Sequence, residues 1–243
     1  MAESRQSHSS APLPMVAIEY TQRRGSVALA RSAADCVELV CETNWHDQDV
    51  LMAALVRLCE RCGHPNLRGI GAVAVSAGPG AFTGTRMSLA AAKGLAFGAA
   101  LPIMAVPSVL VAARAALRGH PAARRIQVAC CAKGESFWLA ELVREDASIE
   151  LVSQGACTAS DYRPCPGAVL VGDEHLPPAM IAAAVGAGMS RAALAPDACA
   201  CALSAIHDRP VQVVGPGELA AIYPREPEAV SLWRQRQGLP ASG

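Results

Sequence analysis

The strongest constraint in the sequence is a glycine-rich turn that separates two apolar segments of different periodicity. Residues 70–76 are apolar and largely β-branched, which predicts a buried strand. Residues 85–100 are dense in alanine and glycine with apolar residues at helical spacing, which predicts a helix. The turn lies in the segment Ser76-Ala-Gly-Pro-Gly-Ala-Phe-Thr-Gly-Thr-Arg86, between the strand and the helix. Together with a preceding hairpin, this strand–turn–helix order indicates an α/β class with a mixed sheet.

The turn permits two interpretations. Gly78, Gly80 and Gly84 allow positive φ or close backbone approach, and Pro79 stiffens the turn. Because the turn leads into a helix N-terminus, its free N–H groups favour an anion. The spacing matches neither a P-loop nor a dinucleotide fingerprint. An anion site and a tight strand-to-helix corner therefore both stay open.

The rest of the chain alternates strand and helix patterns on either side of a boundary at residue 119. Apolar runs predict strands, and apolar residues at helical spacing predict helices. Before the boundary we expect a hairpin of residues 16–18 and 25–30, strands at 36–41 and 101–106, and helices at 47–62 and 108–117. After it we expect strands at 126–131, 136–142 and 168–171, and helices at 177–185 and 197–207. The predicted organisation is an extension (1–14), two lobes (15–118 and 119–226) and a charged tail (227–243).

Composition excludes several classes of protein. The 21 basic and 21 acidic residues balance, which argues against a protein that grips nucleic acid alone through many phosphate contacts. We expect no membrane span and no signal peptide, hence a cytoplasmic protein whose ten cysteines stay reduced. The Cys59–Cys62 spacing lacks a matching second pair, so we expect no metal site.

The stretch from Gly78 to Arg86 resembles the signature Gly-Pro-Gly-Ser-Phe-Thr-Gly-Leu-Arg of the bacterial TsaB (YeaZ, or glycoprotease-like) family. That family supplies a subunit of the machinery that makes threonylcarbamoyladenosine in tRNA. Weaker matches follow in the family's order, at residues 15–21, 25–29, 46–52, 133–135 and 221–225. The resemblance implies a two-lobed α/β fold of the actin, sugar-kinase and Hsp70 type (ASKHA), with mixed sheets and helices.

The resemblance also implies a non-catalytic subunit that supports the catalytic paralogue, a TsaD-type transferase. That paralogue holds a metal through a His-x-x-x-His pair, a spacing that the six histidines here do not form. The alternative is a nucleotide-binding kinase or phosphatase of the same fold. A protease is disfavoured, because the sequence has neither a Gly-x-Ser-x-Gly elbow nor a His-Glu-x-x-His helix.

Several positions take roles from the resemblance. Glu19 and Thr21 stand where ATP-binding relatives of the fold place an Asp-bearing phosphate hairpin, and the longer glutamate weakens a Mg²⁺–nucleotide site. We therefore expect no tightly bound cofactor, with ATP, if present, at the interface of the complex. Arg86 is expected to hold the loop of the motif by hydrogen bonds. The residues assigned to this motif loop are Gly78, Pro79, Gly80, Phe82, Thr83, Gly84 and Arg86.

In the family, two helices of the N-terminal lobe pack against the same pair in TsaD or in a second TsaB. By resemblance, helices 47–62 and 85–100 are expected to carry this interface. The residues assigned to it are Leu51, Leu55, Leu58, Ser88, Ala92 and Lys93. The other expected partner is a TsaE-type ATPase, with tRNA contacted only through the complex.

Overall fold

The computed structural model describes residues 11–41, 50–224, 233, 236 and 237, which form two β-sheets with helices on their faces. The first sheet contains β1 (Met15–Glu19), β2 (Gly25–Ser32), β3 (Asp35–Cys41), β4 (Ala72–Ser76), β5 (Ile103–Val106) and β11 (Gln212–Val214). The second contains β6 (Arg125–Lys133), β7 (Ser136–Glu145), β8 (Ser148–Thr158), β9 (Val169–Gly172) and β10 (Ser190–Ala193). The helices are α1 (Val50–Arg61), α2 (Phe82–Ala99), α3 (Ser108–Ala116), α4 (Pro178–Gly186) and α5 (Ala198–His207).

Both sheets mix parallel and antiparallel pairs. The strand order is β11-β5-β4-β1-β2-β3 in the first sheet and β10-β9-β6-β7-β8 in the second. Strands β1, β4 and β5 run parallel at the centre of the first sheet, while β2, β3 and β11 are antiparallel to their neighbours. The central strands β1 and β4 are buried along their whole length, which explains their continuous apolar sequence. The predicted mixed α/β class is confirmed.

The elements stack in five layers. Helices α1 and α2 cover the outer face of the first sheet, and α4 covers the outer face of the second. Helices α3 and α5 lie between the two sheets in a shared apolar core. None of the helices that the structure describes combines the length and apolar character needed to cross a membrane.

The chain does not divide into two sequential lobes at residue 119. Helix α3, from the first half, packs on the second sheet, whereas α5, from the second half, packs on the first sheet. Strand β11 then returns to pair with β5 at the edge of the first sheet. The predicted boundaries follow the change of sheet but miss this exchange, because an apolar helix pattern does not say which sheet it covers.

The two ends of the chain are described only in part. Of the expected extension 1–14, residues 11–14 are described, and Pro14 accepts a hydrogen bond from the Gly71 N–H at 2.7 Å. Residues 1–10 and most of the expected tail 227–243 lie outside the described residues.

One expectation about the cysteines is wrong. Cys36 in β3 and Cys199 in α5 form a disulfide, with their Cα atoms 6.1 Å apart. Sequence reasoning treats every cysteine as a thiol because it rests on compartment alone and cannot see that these two segments meet. In the part of the chain that the structure describes, no group of three or more His, Cys, Asp or Glu side chains could hold a metal ion.

Candidate functional site

The glycine-rich turn joins β4 to α2, as predicted, but the helix begins three residues earlier than expected. Strand β4 ends at Ser76 and α2 begins at Phe82, so Phe82, Thr83 and Gly84 lie in the first helical turn. Both the backbone N–H and the hydroxyl of Thr85 donate to the Ala81 carbonyl at 2.9 Å. The assignment to a loop is therefore wrong for Phe82, Thr83, Gly84 and Arg86. Gly84 marks a close approach between α2 and another backbone segment rather than a turn.

The three glycines of the turn face the protein's own backbone. A Cβ atom at Gly78, where φ is +101°, would lie 2.4 Å from the Ile222 carbonyl oxygen. At Gly80 it would lie 2.4 Å from the carbonyl oxygen of Thr21, and at Gly84 2.0 Å from that of Tyr20. An anion needs open space beside the N–H groups that bind it. Because carbonyl oxygens crowd these three glycines and the Ala81 N–H already donates to the Thr21 carbonyl, the structure favours the tight corner over the anion site.

The opening and closing segments of the chain meet at this turn. The Ile222 N–H donates to the Ala77 carbonyl at 2.7 Å. One helical turn into α2, Arg86 Nε donates to the Tyr223 hydroxyl at 3.0 Å, and the guanidinium carbon lies 3.7 Å from the centre of the Phe82 ring. Arg86 thus holds the closing segment against α2, and its expected hydrogen bonding to the Gly78–Gly84 loop stays a prediction. Arg225, the last residue of that motif match, lies outside the described residues.

Glu19 and Thr21, at the end of β1, are both fully buried. Thr21 donates to Glu19 Oε1 through its backbone N–H at 2.6 Å and through its hydroxyl at 2.5 Å. Among the described residues, Glu19 Oε2 has no hydrogen-bond partner. The neighbouring Ser76 hydroxyl donates instead to Ser108 Oγ at 2.9 Å.

Burial raises the pKa of the Glu19 carboxyl above its ordinary value, and the nearby Asp197 carboxylate raises it further. The hydrogen bonds from Thr21 and the nearby Ser76 hydroxyl lower this pKa without cancelling the effect of burial. Desolvation disfavours the ionised form, so the environment suits a protonated carboxyl.

Replacing Glu19 with glutamine is expected to stabilise the protein at pH 8 by about 1–2 kcal/mol. In the unfolded chain Glu19 loses its proton near its ordinary pKa, while the folded protein retains it, because burial raises the pKa. The free energy of unfolding therefore falls as pH rises from about 4.5 through the folded pKa. The neutral amide removes this loss, so the stabilisation shrinks towards pH 4. Urea unfolding between pH 4 and pH 8 measures it, and the exposed Glu145→Gln is the matched control. A Glu19→Gln variant that is no more stable than the unaltered protein at pH 8 would contradict a raised pKa of Glu19.

One pocket beside this hairpin is too small to hold a ligand. Gln22, Pro79, Ser108, Cys130 and Pro196 meet there with no room for a water molecule. Mg²⁺ requires ionised or carbonyl oxygens in tight octahedral geometry. Glu19 does not fit that role, because it is fully buried, its Oε1 is engaged by Thr21, and its environment favours the proton. The residues present therefore do not fit a Mg²⁺–nucleotide at this position.

The expected partner residues are mostly buried. Leu51, Leu55 and Leu58 of α1, and Ser88 and Ala92 of α2, pack against the first sheet and its neighbours. Their assignment to a partner surface is therefore wrong, because the apolar stripe that suggested contact is the stripe that fixes each helix to its own sheet. Lys93 is half-buried. The expected helix start at 47, and the motif that begins at His46, lie outside the described residues.

A second apolar face of the same two helices is exposed. Met52 and Val56 of α1 and Phe97 of α2 project into solvent, with Phe97 83% exposed. A groove of about 270 Å³ runs between the helices, and Gly94 and Gly98 form part of its wall. A Cβ atom at either glycine would meet nothing within 4 Å. We call Met52, Val56, Gly94, Phe97 and Gly98 the α1–α2 face.

Sequence reasoning missed this face although a signal was present. Met52 and Val56 repeat at a spacing of four beside the buried pair Leu51 and Leu55, so α1 carries more apolar surface than one sheet can cover.

Comparisons with known proteins agree with the motifs. The profile of a family described as "TsaD: tRNA N6-adenosine threonylcarbamoyltransferase" matches residues 44–139, which include α1, the glycine turn and α2. A protein of Escherichia coli (strain K12) named "tRNA threonylcarbamoyladenosine biosynthesis protein TsaB" is 38% identical over 84 residues, covering 35% of this chain and 36% of that protein. A protein of the same name from Haemophilus influenzae is 37% identical over 79 residues, covering 32% of this chain and 33% of that protein.

These curated likenesses span only about a third of the relatives' length, whereas the likeness in fold spans almost all of one solved structure. YeaZ from Pseudomonas aeruginosa superposes with a TM-score of 0.70 and 19% identity, covering 86% of this chain and 99% of that one. The predicted α/β fold is thereby confirmed, and the identities with proteins named TsaB bear out the resemblance that the motifs carry.

Proposed function

We propose that this chain is a non-catalytic partner subunit in the modification of tRNA to threonylcarbamoyladenosine, where it supports a TsaD-type threonylcarbamoyltransferase. The names of its relatives support the process, since they are called threonylcarbamoyladenosine biosynthesis proteins. We place this tRNA modification, and therefore the chain, in the cytoplasm.

The α1–α2 face is the observation that carries the proposal. It combines exposed apolar side chains with a groove walled in part by two glycines. Exposed apolar groups beside a groove mark surfaces that another protein covers. Because Gly94 and Gly98 present no side chain, a partner helix can approach the backbone of α2 closely. A two-helix face therefore fits another two-helix face.

The glycine turn and the pocket beside the hairpin favour a non-catalytic role over kinase or phosphatase activity. The glycines of the turn are packed closely against the protein's own backbone, and the pocket lined by Gln22, Pro79 and Ser108 has no room for a water molecule. ATP, where the complex uses it, is then bound at an interface to which this chain contributes surface, and a TsaE-type ATPase and tRNA join through the complex. A second copy of this chain competes with the transferase for the same face.

Replacing Val56 with arginine is expected to weaken association with the TsaD-type paralogue by at least about 10-fold, because a charge would be desolvated at the centre of the face. Val56 is 53% exposed, so the change leaves the folded chain intact. The matched control is Val185→Arg on α4, where the valine is 59% exposed on the opposite side of the molecule. Co-purification and binding titration measure association, and tRNA modification by the reconstituted complex is expected to fall in parallel.

Equal loss in both variants, or in neither, would remove the α1–α2 face from the interface. The non-catalytic role is tested separately with the isolated chain. Hydrolysis of ATP or transfer of a carbamoyl group without any companion subunit would overturn it.

A further inference from the structure

The disulfide between Cys36 and Cys199 joins two segments that are 163 residues apart in sequence. Cys36 lies on β3, the edge strand of the first sheet, and Cys199 lies in the first turn of α5. Their Cα separation of 6.1 Å falls within the range of about 4.4–6.8 Å that disulfides span. Both residues are only half-buried, so a small thiol reagent can reach them.

Non-covalent contacts hold the two segments together around the cysteines. The Ala198 N–H donates to Ser26 Oγ at 2.8 Å and to Glu38 Oε1 at 3.0 Å, so the hairpin of β2 and β3 receives the start of α5. Asp197 caps the helix by accepting from the Ala200 N–H at 2.8 Å and forms an ion pair with Arg118. These contacts join the start of α5 to the hairpin independently of the covalent bond.

The other cysteines in the described residues are not arranged in this way. Cys59 and Cys62 belong to the α1 region, and Cys59 is buried in the core beneath that helix. Cys130 and Cys131 are sequence neighbours at an irregularity of β6, where their side chains interact without being joined by a disulfide. The remaining cysteines that the structure describes are also outside any disulfide. Cys36 and Cys199 are therefore the pair that the fold presents for oxidation.

We infer that Cys36 and Cys199 form a reversible redox staple that fastens α5 to the edge of the first sheet. The oxidant is glutathione disulfide. One cysteine thiolate attacks it and releases one glutathione, and the second thiolate then attacks the protein sulfur of this mixed disulfide and releases the second glutathione. The protein loses two electrons and two protons, and two molecules of reduced glutathione are formed.

The staple acts on the segment that carries the chain from one sheet to the other. Helix α5 follows β10 of the second sheet, packs on the first sheet, and leads to β11. A covalent link across 163 residues of sequence restricts the unfolded chain strongly. The oxidised protein is therefore expected to unfold about 5–10 °C higher than the reduced protein.

The test uses the full-length chain, reduced and then equilibrated with mixtures of oxidised and reduced glutathione. Alkylation under denaturing conditions followed by mass spectrometry is expected to count ten thiols in the reduced protein and eight after oxidation. Proteolysis is expected to recover one cross-linked pair of peptides that contains Cys36 and Cys199. Ten thiols after oxidation, or a cross-link between other cysteines, would overturn the staple.

Variants test the link to stability. Cys36→Ser and Cys199→Ser are each expected to abolish the rise in unfolding temperature on oxidation, while Cys62→Ser retains it. A rise that persists in Cys36→Ser would also overturn the proposal. The thiol count in the unaltered chain decides the chemistry even if one of these variants folds poorly.

Discussion

Replacing Gly84 with alanine is expected to destabilise the protein by about 3 kcal/mol. The added Cβ atom would lie 2.0 Å from the Tyr20 carbonyl oxygen, a distance that no real contact allows. Relief requires α2 to move away from the hairpin of β1 and β2, because both partners in the clash are backbone. That movement would also disturb the bond from the Ala81 N–H to the Thr21 carbonyl, which is 2.7 Å long.

The matched control is Gly94→Ala in the same helix. Its Cβ atom would meet nothing within 4 Å, so the change is expected to stabilise the protein by about 0.5–1 kcal/mol through helix propensity alone. Urea unfolding of the two variants measures effects of opposite sign. Equal and small effects would mean that α2 does not lie against the hairpin as described.

Replacing Arg114 with methionine is expected to destabilise the protein by about 3–5 kcal/mol, because it leaves a buried carboxylate without its cation. Arg114 on α3 binds Asp208 through Nε, at 2.8 Å from Oδ2, and through Nη2, which reaches Oδ1. The Arg114 and Asp208 side chains are 15% and 0% exposed. Asp208 also accepts from the Ile149 N–H at 2.8 Å, so the pair joins α3, the end of α5 and β8.

The neighbouring ion pair supplies the control. Arg118 and Asp197 are 52% and 19% exposed, and Arg118→Met is expected to cost about 0–1 kcal/mol, since water solvates the charge that remains. Adding Asp208→Asn to Arg114→Met is expected to recover part of the stability, because the amide oxygen still accepts from Ile149 and no buried charge is left. Chemical denaturation of the three variants checks this order, and no recovery in the double variant would contradict the electrostatic explanation.

Much of the first sheet could be predicted from sequence because its strands have strong local signals. The run at 70–76 contains β4, and the predicted hairpin segments 16–18 and 25–30 lie within β1 and β2. The motif match also placed the glycine turn correctly between β4 and α2. The helix start could not be predicted, since a glycine beside a carbonyl oxygen and a glycine in a flexible turn look identical in sequence.

Three strands were not predicted, each for a physical reason. Strand β8 lies at the edge of the second sheet and is largely exposed, so it lacks the apolar alternation of a half-buried strand. Strands β10 and β11 have four and three residues, too few to show a period. The partner face was misplaced for a related reason, because a stripe of leucines shows that a helix buries one face without showing what covers it.

The return of the chain to its first sheet has a consequence for biosynthesis. Translation delivers the strand–glycine–helix motif more than 100 residues before Ile222, whose N–H completes the hydrogen bonding of Ala77, and before β11, which covers the edge of β5. A nascent chain therefore presents an incomplete amino-terminal half until its last segments leave the ribosome, and a premature stop codon shortly before residue 212 would leave that half permanently open.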